Sequence, residues 1–321
     1  MEDTEILDLE ENEFSVLKQY GEDLTAKTYV TNPAIARESE LKKLIMVLLT
    51  PEKSALLIGK PGIGKTAIVE GLAYLIQKNE VPDALKGYRI IKVNSVSLIG
   101  KIEKNGKEDL IIQLLVEELK QTTKTILFID EIHTLIGGRS DSPMDLANIL
   151  KPGLDRGDIK AIGATTTNEY DTYVIRDRAF LRRFERIDVE EPSEEVTVQI
   201  LKGSLPKIEK QTGCKFKYND YVTGLLLESI VSATSEFKRV YGLSAMYPDV
   251  AFSVLTAAFS EALFQNRKEV NVLDVYNAIK TSKRIYPDSI VKELTVFREK
   301  FAKLCIEENI TLPIVSIDEL E

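Results

Sequence analysis

The chain has 321 residues, of which 44% are hydrophobic, and a formal net charge of −9. That is enough apolar content to bury two compact cores, and the charge argues against a nucleic-acid partner, because duplex binding rests mainly on Lys and Arg neutralising phosphates. No apolar run reaches bilayer-spanning length, and the start MEDTEILDLEENE is acidic where a secretory signal would be basic and then apolar, so a cytoplasmic protein with no membrane partner is expected.

Residues 1–13 hold seven acidic side chains and no basic one, leaving the remainder near about −2, a balance that still permits a local basic patch. The stretch 1–19 reads as a solvated acidic arm, with Ile6, Leu7 and Leu9 leaving room for a short docking motif. Cys214 and Cys305 are too few and too far apart for a metal-ligand or redox spacing and read as reduced thiols.

From about residue 40 to 192, apolar β-rich runs alternate with helical patterns, which predicts an α/β unit with a five-stranded parallel sheet covered on both faces. The strand candidates are 54–59 (SALLIG), 89–94 (RIIKVN), 125–130 (TILFID), 159–165 (IKAIGAT) and 186–189 (RIDV). After the first of these, Ile68, Val69, Leu72, Leu75 and Ile76 fall on one helical face. Beyond Pro192 the texture turns helical, starting at the N-cap signal Ser193-Glu194-Glu195. Helices are expected over 194–210, 218–237, 248–267, 271–283 and 288–309. The domain reading is therefore a large α/β unit over 20–192, a small all-helical unit over 193–285 and a helical tail over 286–321 whose apolar face could dock internally or bind another chain.

The sequence GKPGIGKT (59–66) stands between the first strand and the amphipathic helix. Gly59, Gly62 and Gly64 let the backbone turn inward, so that successive N–H groups and the helix N-terminus face the β- and γ-phosphates of a nucleotide. Lys65 would pair with phosphate charge and the Thr66 hydroxyl would ligate Mg²⁺. Pro61, Gly62, Ile63, Gly64, Lys65, Thr66 and Ala67 are thus candidate ATP-binding positions. In ILFIDE (126–131), Asp130 would end a buried strand and hold the water shell of Mg²⁺, while Glu131 would polarise a water for attack on the γ-phosphate. His133, the one histidine, reads as a packed or helix-capping side chain while Glu131 is available as the base.

With these residues in place the chain resembles the Clp-type AAA+ ATPases, the ring-forming unfoldases and disaggregases, and among their parts the first ATPase module of two-module members. The resemblance runs from about Tyr20 to Asp249 through KQYGEDLT, NPAIARESEL (32–41), GKPGIGKTAIVEGLA, ILFIDEIHTLIG, MDLANILKPGLDRGDIKAIGATTTNEY (144–170) and RDRAFLRRFERIDVEEPS (176–193). It implies an AAA+ P-loop NTPase fold with a small helical domain, an ATP- and Mg²⁺-dependent ATPase and a homo-oligomer, with a hexamer as one form. Ala34 and Ile35 would pack around adenine. Thr166 resembles the sensor that bonds the γ-phosphate or the attacking water. Arg182 and Arg183 resemble arginine fingers that reach a neighbouring subunit's nucleotide, where a guanidinium stabilises charge spreading over the phosphoryl oxygens. The plainer reading of these two is a basic turn snorkelling from an apolar Phe180, Leu181 and Phe184 face.

Departures from the family pattern shape the expectation. Matching Gly106 to the glycine of the substrate-gripping loop puts Lys104 at the aromatic position, unless 97–110 is a plain surface connection. Val250 stands where the family has a basic residue, and Ala36 replaces a glycine. No recruiting domain, coiled-coil insertion or second ATPase module is recognisable, so a stand-alone module is expected. The leading reading is an ATP-hydrolysing ring or spiral that remodels a protein partner. Two others stay open: an ATP-dependent switch or scaffold that threads nothing, and a nucleic-acid-dependent ATPase, which charge and motif detail count against.

Overall fold

The computed structural model describes residues 15–104, 107–136, 147–155, 159–240 and 246–320. Most of the acidic arm, Gly106 and part of the 144–170 motif lie outside them. The described residues form two compact units, one drawn from Met1–Thr28, Arg37–Gly59 and Lys65–Val189, the other from Tyr29–Ala36, Lys60–Gly64 and Glu190–Glu321.

The first unit is built on a sheet of strands β1 (Gly21–Asp23), β2 (Ser54–Ile58), β3 (Arg89–Asn94), β6 (Thr125–Asp130), β7 (Lys160–Thr165) and β8 (Phe184–Asp188), in the order β1-β3-β6-β7-β2-β8. Five strands run parallel, as the alternation of apolar runs and helices requires. The sixth, β1, pairs antiparallel with β3 through Gly21↔Val93 and Asp23↔Ile91, correcting the expected count of five. Its three residues Gly-Glu-Asp carry no strand propensity; backbone pairing makes the strand, and Gly21 permits it. A Cβ on Gly21 would lie 2.4 Å from the Leu17 carbonyl and 2.5 Å from Ile91 Cγ2.

All five residues of β2 are buried, the mark of a strand covered on both sides. The covering helices are α1 (Val16–Tyr20), α2 (Glu38–Leu49), α3 (Lys65–Gln77), α5 (Ile111–Gln121), α6 (Ala147–Asp155) and the short α4 (Ser95–Leu98), α7 (Thr167–Thr172) and α8 (Arg178–Leu181). One core gathers Leu56, Ile91, Leu115, Leu127, Ile129 and Phe180. The last strand begins two residues earlier than its sequence pattern because Phe184 is buried in that core, stacked on Phe180 at 4.1 Å. Within segment 97–110, β4 (Lys101–Lys104) and β5 (Lys107–Leu110) pair antiparallel.

In the second unit, α9 (Glu194–Thr212) is capped by Ser193, whose Oγ accepts from the Val196 N–H at 3.3 Å, and ends at Gly213 in a left-handed conformation, φ 68°. It packs with α10 (Asp220–Ala233), α11 (Asp249–Phe264), α12 (Val272–Lys280), α13 (Pro287–Lys300) and α14 (Ala302–Glu307). A two-residue parallel ladder, β9 (Lys215–Phe216) with β10 (Glu269–Val270), adds the one strand pair among its described residues. The stretch expected as a single helix over 288–309 breaks at Phe301, φ −104° and ψ 11°. Its apolar face docks internally: Ile290, Leu294, Phe297, Phe301 and Cys305 share a core with Leu226, Phe259 and Tyr276. Cys214 and Cys305 are both free and buried. Among the described residues no helix is long and apolar enough to cross a membrane.

Candidate nucleotide site

The site grows from the C-terminal ends of β2, β6 and β7, which are neighbours in the order β6-β7-β2. Chain leaving β2 turns through Gly62 (φ 77°) and Gly64 (φ 99°), positive values open to glycine and disfavoured for other residues, then enters α3 at Lys65. Between the glycines Ile63 is buried. The Lys65 Nζ donates to the Gly59 carbonyl at 2.7 Å, arching the side chain over the loop. Burial pushes the Lys65 ammonium below its ordinary value, and the carboxylates of Asp130, Glu169 and Glu131 counter only part of that.

Thr66 Oγ1 donates to Asp130 Oδ2 at 3.4 Å, and Lys92 Nζ stands 3.3 Å from the same oxygen. A hydroxyl and a carboxylate converging beside a phosphate loop suit a cation that keeps several waters and takes few protein oxygens, as Mg²⁺ does. Glu131 follows with φ 54° and ψ 44°, exposed, and opens the tight 3-10 turn Ile132–Leu135.

Thr166 caps α7 in a reciprocal box: its Oγ1 accepts from the Glu169 N–H at 3.3 Å while its own N–H donates to Glu169 Oε2 at 2.9 Å. Burial would raise the Glu169 carboxyl, but hydrogen bonds from the Thr166 backbone and hydroxyl, the nearby His133 and the Thr165 hydroxyl hold it below the usual carboxylate range. His133 is packed, as the sequence reading has it, with its ring stacked 6.0 Å from Tyr173.

Lys65, Thr66, Asp130, Glu131 and Thr166 thus share one end of the first unit. Arg182 and Arg183 follow α8, Arg182 exposed and Arg183 half-buried, and their carbonyls accept from Lys53 Nζ at 2.9 Å and the Ser54 N–H at 2.8 Å.

Ala34 and Ile35 belong to the second unit. The Ala34 N–H donates to Asn32 Oδ1 at 2.9 Å, and Ile35 packs on α9 at Gly203, where a Cβ would lie 2.8 Å from Ile35 Cδ1. Ala36 holds φ 54°, a backbone setting that glycine adopts more readily than alanine. In the same unit a Cβ on Gly62 would meet Asp249 Cβ at 2.8 Å, and Arg284 Nη1 donates to Asp249 Oδ2 at 2.7 Å. Val250, at the family's basic position, is fully buried in the helical core. Lys92, Glu169 and Asp249 went unread in the sequence. Only Glu169 carried a signal, the Thr-x-x-Glu spacing of a capping box.

Residues 55–191 match the ATPase family associated with various cellular activities (AAA). Chaperone protein ClpB of Aquifex aeolicus (strain VF5) is 37% identical over 309 residues, 94% of this chain and 29% of that protein. A probable ATP-dependent Clp protease ATP-binding subunit of Chlamydia pneumoniae is 38% identical over 248 residues, 76% of this chain and 28% of the relative. Among solved structures, a closed-state cryo-EM reconstruction of Hsp104 with ATPγS and FITC casein aligns with TM-score 0.72 and 30% identity over 95% of this chain and 51% of that one. An S. cerevisiae Hsp104–ADP complex gives TM-score 0.69 and 33% identity over the same shares, 95% and 51%. The chain spans about 30% of the length of the curated relatives it matches.

Proposed function

The chain belongs to the Clp-type AAA+ ATPases, and on that footing we propose that it binds and hydrolyses ATP with Mg²⁺, assembles head to tail into a ring or spiral, possible sizes including a hexamer, and remodels a protein partner in the cytoplasm. The observation that carries the reading is the convergence of Lys65, Thr66, Asp130 and Glu131 beyond the ends of β2 and β6, the two strands that flank β7.

In this reading the N–H groups of 61–67 cradle the phosphates, Lys65 neutralises phosphoryl charge, and Ala34 and Ile35 flank the base. Thr66 and Asp130 would hold Mg²⁺, which supplies charge neutralisation at the phosphate oxygens. Glu131 takes the proton of the attacking water, and Thr166 donates to the γ-phosphate or that water. Arg182 and Arg183 act on a neighbouring copy's nucleotide, so turnover depends on assembly. Motion between the α/β and helical parts, hinged near Pro192, is the mechanical output. The names of the relatives, chaperones and a protease subunit, favour remodelling over an ATP-dependent switch.

The test is ATP turnover of the purified chain across a dilution series, beside Glu131→Gln and with a stably folded fluorescent client present. Expected are turnover per chain that falls on dilution, a loss of ~10²–10⁴-fold in Glu131→Gln with nucleotide binding retained, and client fluorescence lost only with ATP. A chain that ignores adenine nucleotides overturns the enzymatic reading, and an intact client overturns remodelling.

A further inference from the structure

Glu131 has a left-handed backbone that non-glycine residues seldom adopt, so something must hold it. Its carbonyl accepts from both the N–H and the hydroxyl of Thr134 at 3.0 Å, closing the 3-10 turn behind it. That turn is fastened to β7 at two points. Ile132 fits over Gly163, where a Cβ would come within 2.8 Å of Ile132 Cδ1. His133 Nδ1 lies 3.2 Å from both Thr165 Oγ1 and Glu169 Oε2. Glu169 is also the residue that fixes Thr166, through the N–H that Thr166 donates at 2.9 Å. The Gly59 N–H donates to the Thr165 carbonyl at 3.4 Å, so the phosphate loop starts from the same strand end.

We propose that His133 and Glu169 are positioning residues for the hydrolysis inferred above: they fasten the turn carrying Glu131 to the strand end carrying Thr166, so that base and sensor shift together. The inference rests on the ATPase reading. Neither residue touches nucleotide; both act by fixing where the Glu131 carboxylate points relative to the phosphate that Thr166 contacts. The plain apolar contact of Ile132 on Gly163 leaves the turn free to rock about one point, and the polar link supplies the second.

The test compares wild type, His133→Ala, His133→Asn, Glu169→Gln and the double variant His133→Ala/Glu169→Gln in steady-state ATP turnover, with binding of a fluorescent ADP analogue measured in parallel. Expected is a kcat loss of ~10²-fold in each of His133→Ala and Glu169→Gln, the scale of a misplaced reacting group, with KM and analogue binding unchanged. Asn places an amide donor near the Nδ1 position and should recover most of kcat. The double variant should lose no more than the worse single one, because one link is broken once. If His133→Ala fails to fold, His133→Phe keeps the stacking on Tyr173, removes the hydrogen bond and carries the same expectation. Wild-type kcat in the variants, additive losses, or kcat falling only together with analogue binding would each overturn the proposal. A wild-type chain without turnover overturns the ATPase reading itself, and this inference with it.

Discussion

Thr66 Oγ1 and Asp130 Oδ2 lie 3.4 Å apart, joining the first turn of α3 to the last residue of β6. If both oxygens face Mg²⁺, removing either weakens the cation more than the nucleotide. Thr66→Ala and Asp130→Asn should raise the Mg²⁺ concentration for half-maximal turnover by ~10-fold or more, read from turnover against free Mg²⁺ at saturating ATP. An unchanged Mg²⁺ requirement removes these residues from the metal site.

The carbonyls of Arg182 and Arg183 are taken by Lys53 Nζ and the Ser54 N–H, and in the proposed reading their guanidinium groups serve a neighbouring copy. Arg183→Ala and Glu131→Gln, each nearly inactive alone, should recover turnover when mixed, because the second can lend its arginine to the first. Recovery absent from the mixture, with both proteins still assembling, would assign the arginines to structure. Arg182→Ala in the same assay tells which guanidinium matters.

Two positions test the backbone argument in opposite directions. Ala36 holds φ 54°, so Ala36→Gly should stabilise the chain by ~0.5–1 kcal/mol in urea unfolding. At Gly62 the strain of φ 77° and the clash with Asp249 at 2.8 Å combine. Gly62→Ala should therefore cost roughly 1–3 kcal/mol and weaken fluorescent-nucleotide binding.

Phe297 is 2% exposed, 5.8 Å edge-on from Tyr276 and 4.5 Å from Phe301. Phe297→Ala should destabilise the helical unit by about 3–5 kcal/mol in denaturant unfolding. A loss under 1 kcal/mol, well below that mark, would mean the tail helices contribute little to that core.

Asp23 ties edge strand β1 to β3, accepting from Arg89 Nε at 2.8 Å. Burial would raise its carboxyl, but the Thr25 hydroxyl and N–H and the Arg89 guanidinium hold it below its ordinary value of 3.8. A carboxyl depressed in the folded state adds stability that is complete above its unfolded value and fades as pH falls through the folded one. Wild type should therefore exceed Asp23→Asn in stability at pH 6, and the gap should close below about pH 3.8. Hydrogen exchange at Glu22 and Asp23 should report the same change locally.

The phosphate loop and the Asp130-Glu131 pair were legible because glycine spacing and an unbroken apolar strand leave few other structures open. Five strands followed from their apolar runs, whereas β1 did not, since Gly-Glu-Asp becomes a strand only by finding β3 and fitting against Leu17 and Ile91. Helix ends drifted where periodicity continues past the cap, as at α10, which stops at Ala233 although the pattern runs to 237. The join of His133 to Glu169 spans 36 positions and depends on β6 and β7 being neighbours, which no local pattern encodes. The Lys104 reading keeps its place as an expectation, since Gly106 lies outside the described residues.

Because β7 is flanked by β2 and β6, its closing threonine, Thr165, answers to a pairing frame set by both neighbours at once, Ile58↔Thr165 on one side and Ile129↔Gly163 on the other. Side chains along a strand alternate, so inserting one residue between Lys160 and Ala164 would push Thr165 one place on and turn it about-face. Such a lengthened protein would keep its glycine loop and its carboxylates intact, yet His133 would meet the methyl group of Ala164 in place of a hydroxyl: a machine with every part present and one link turned away.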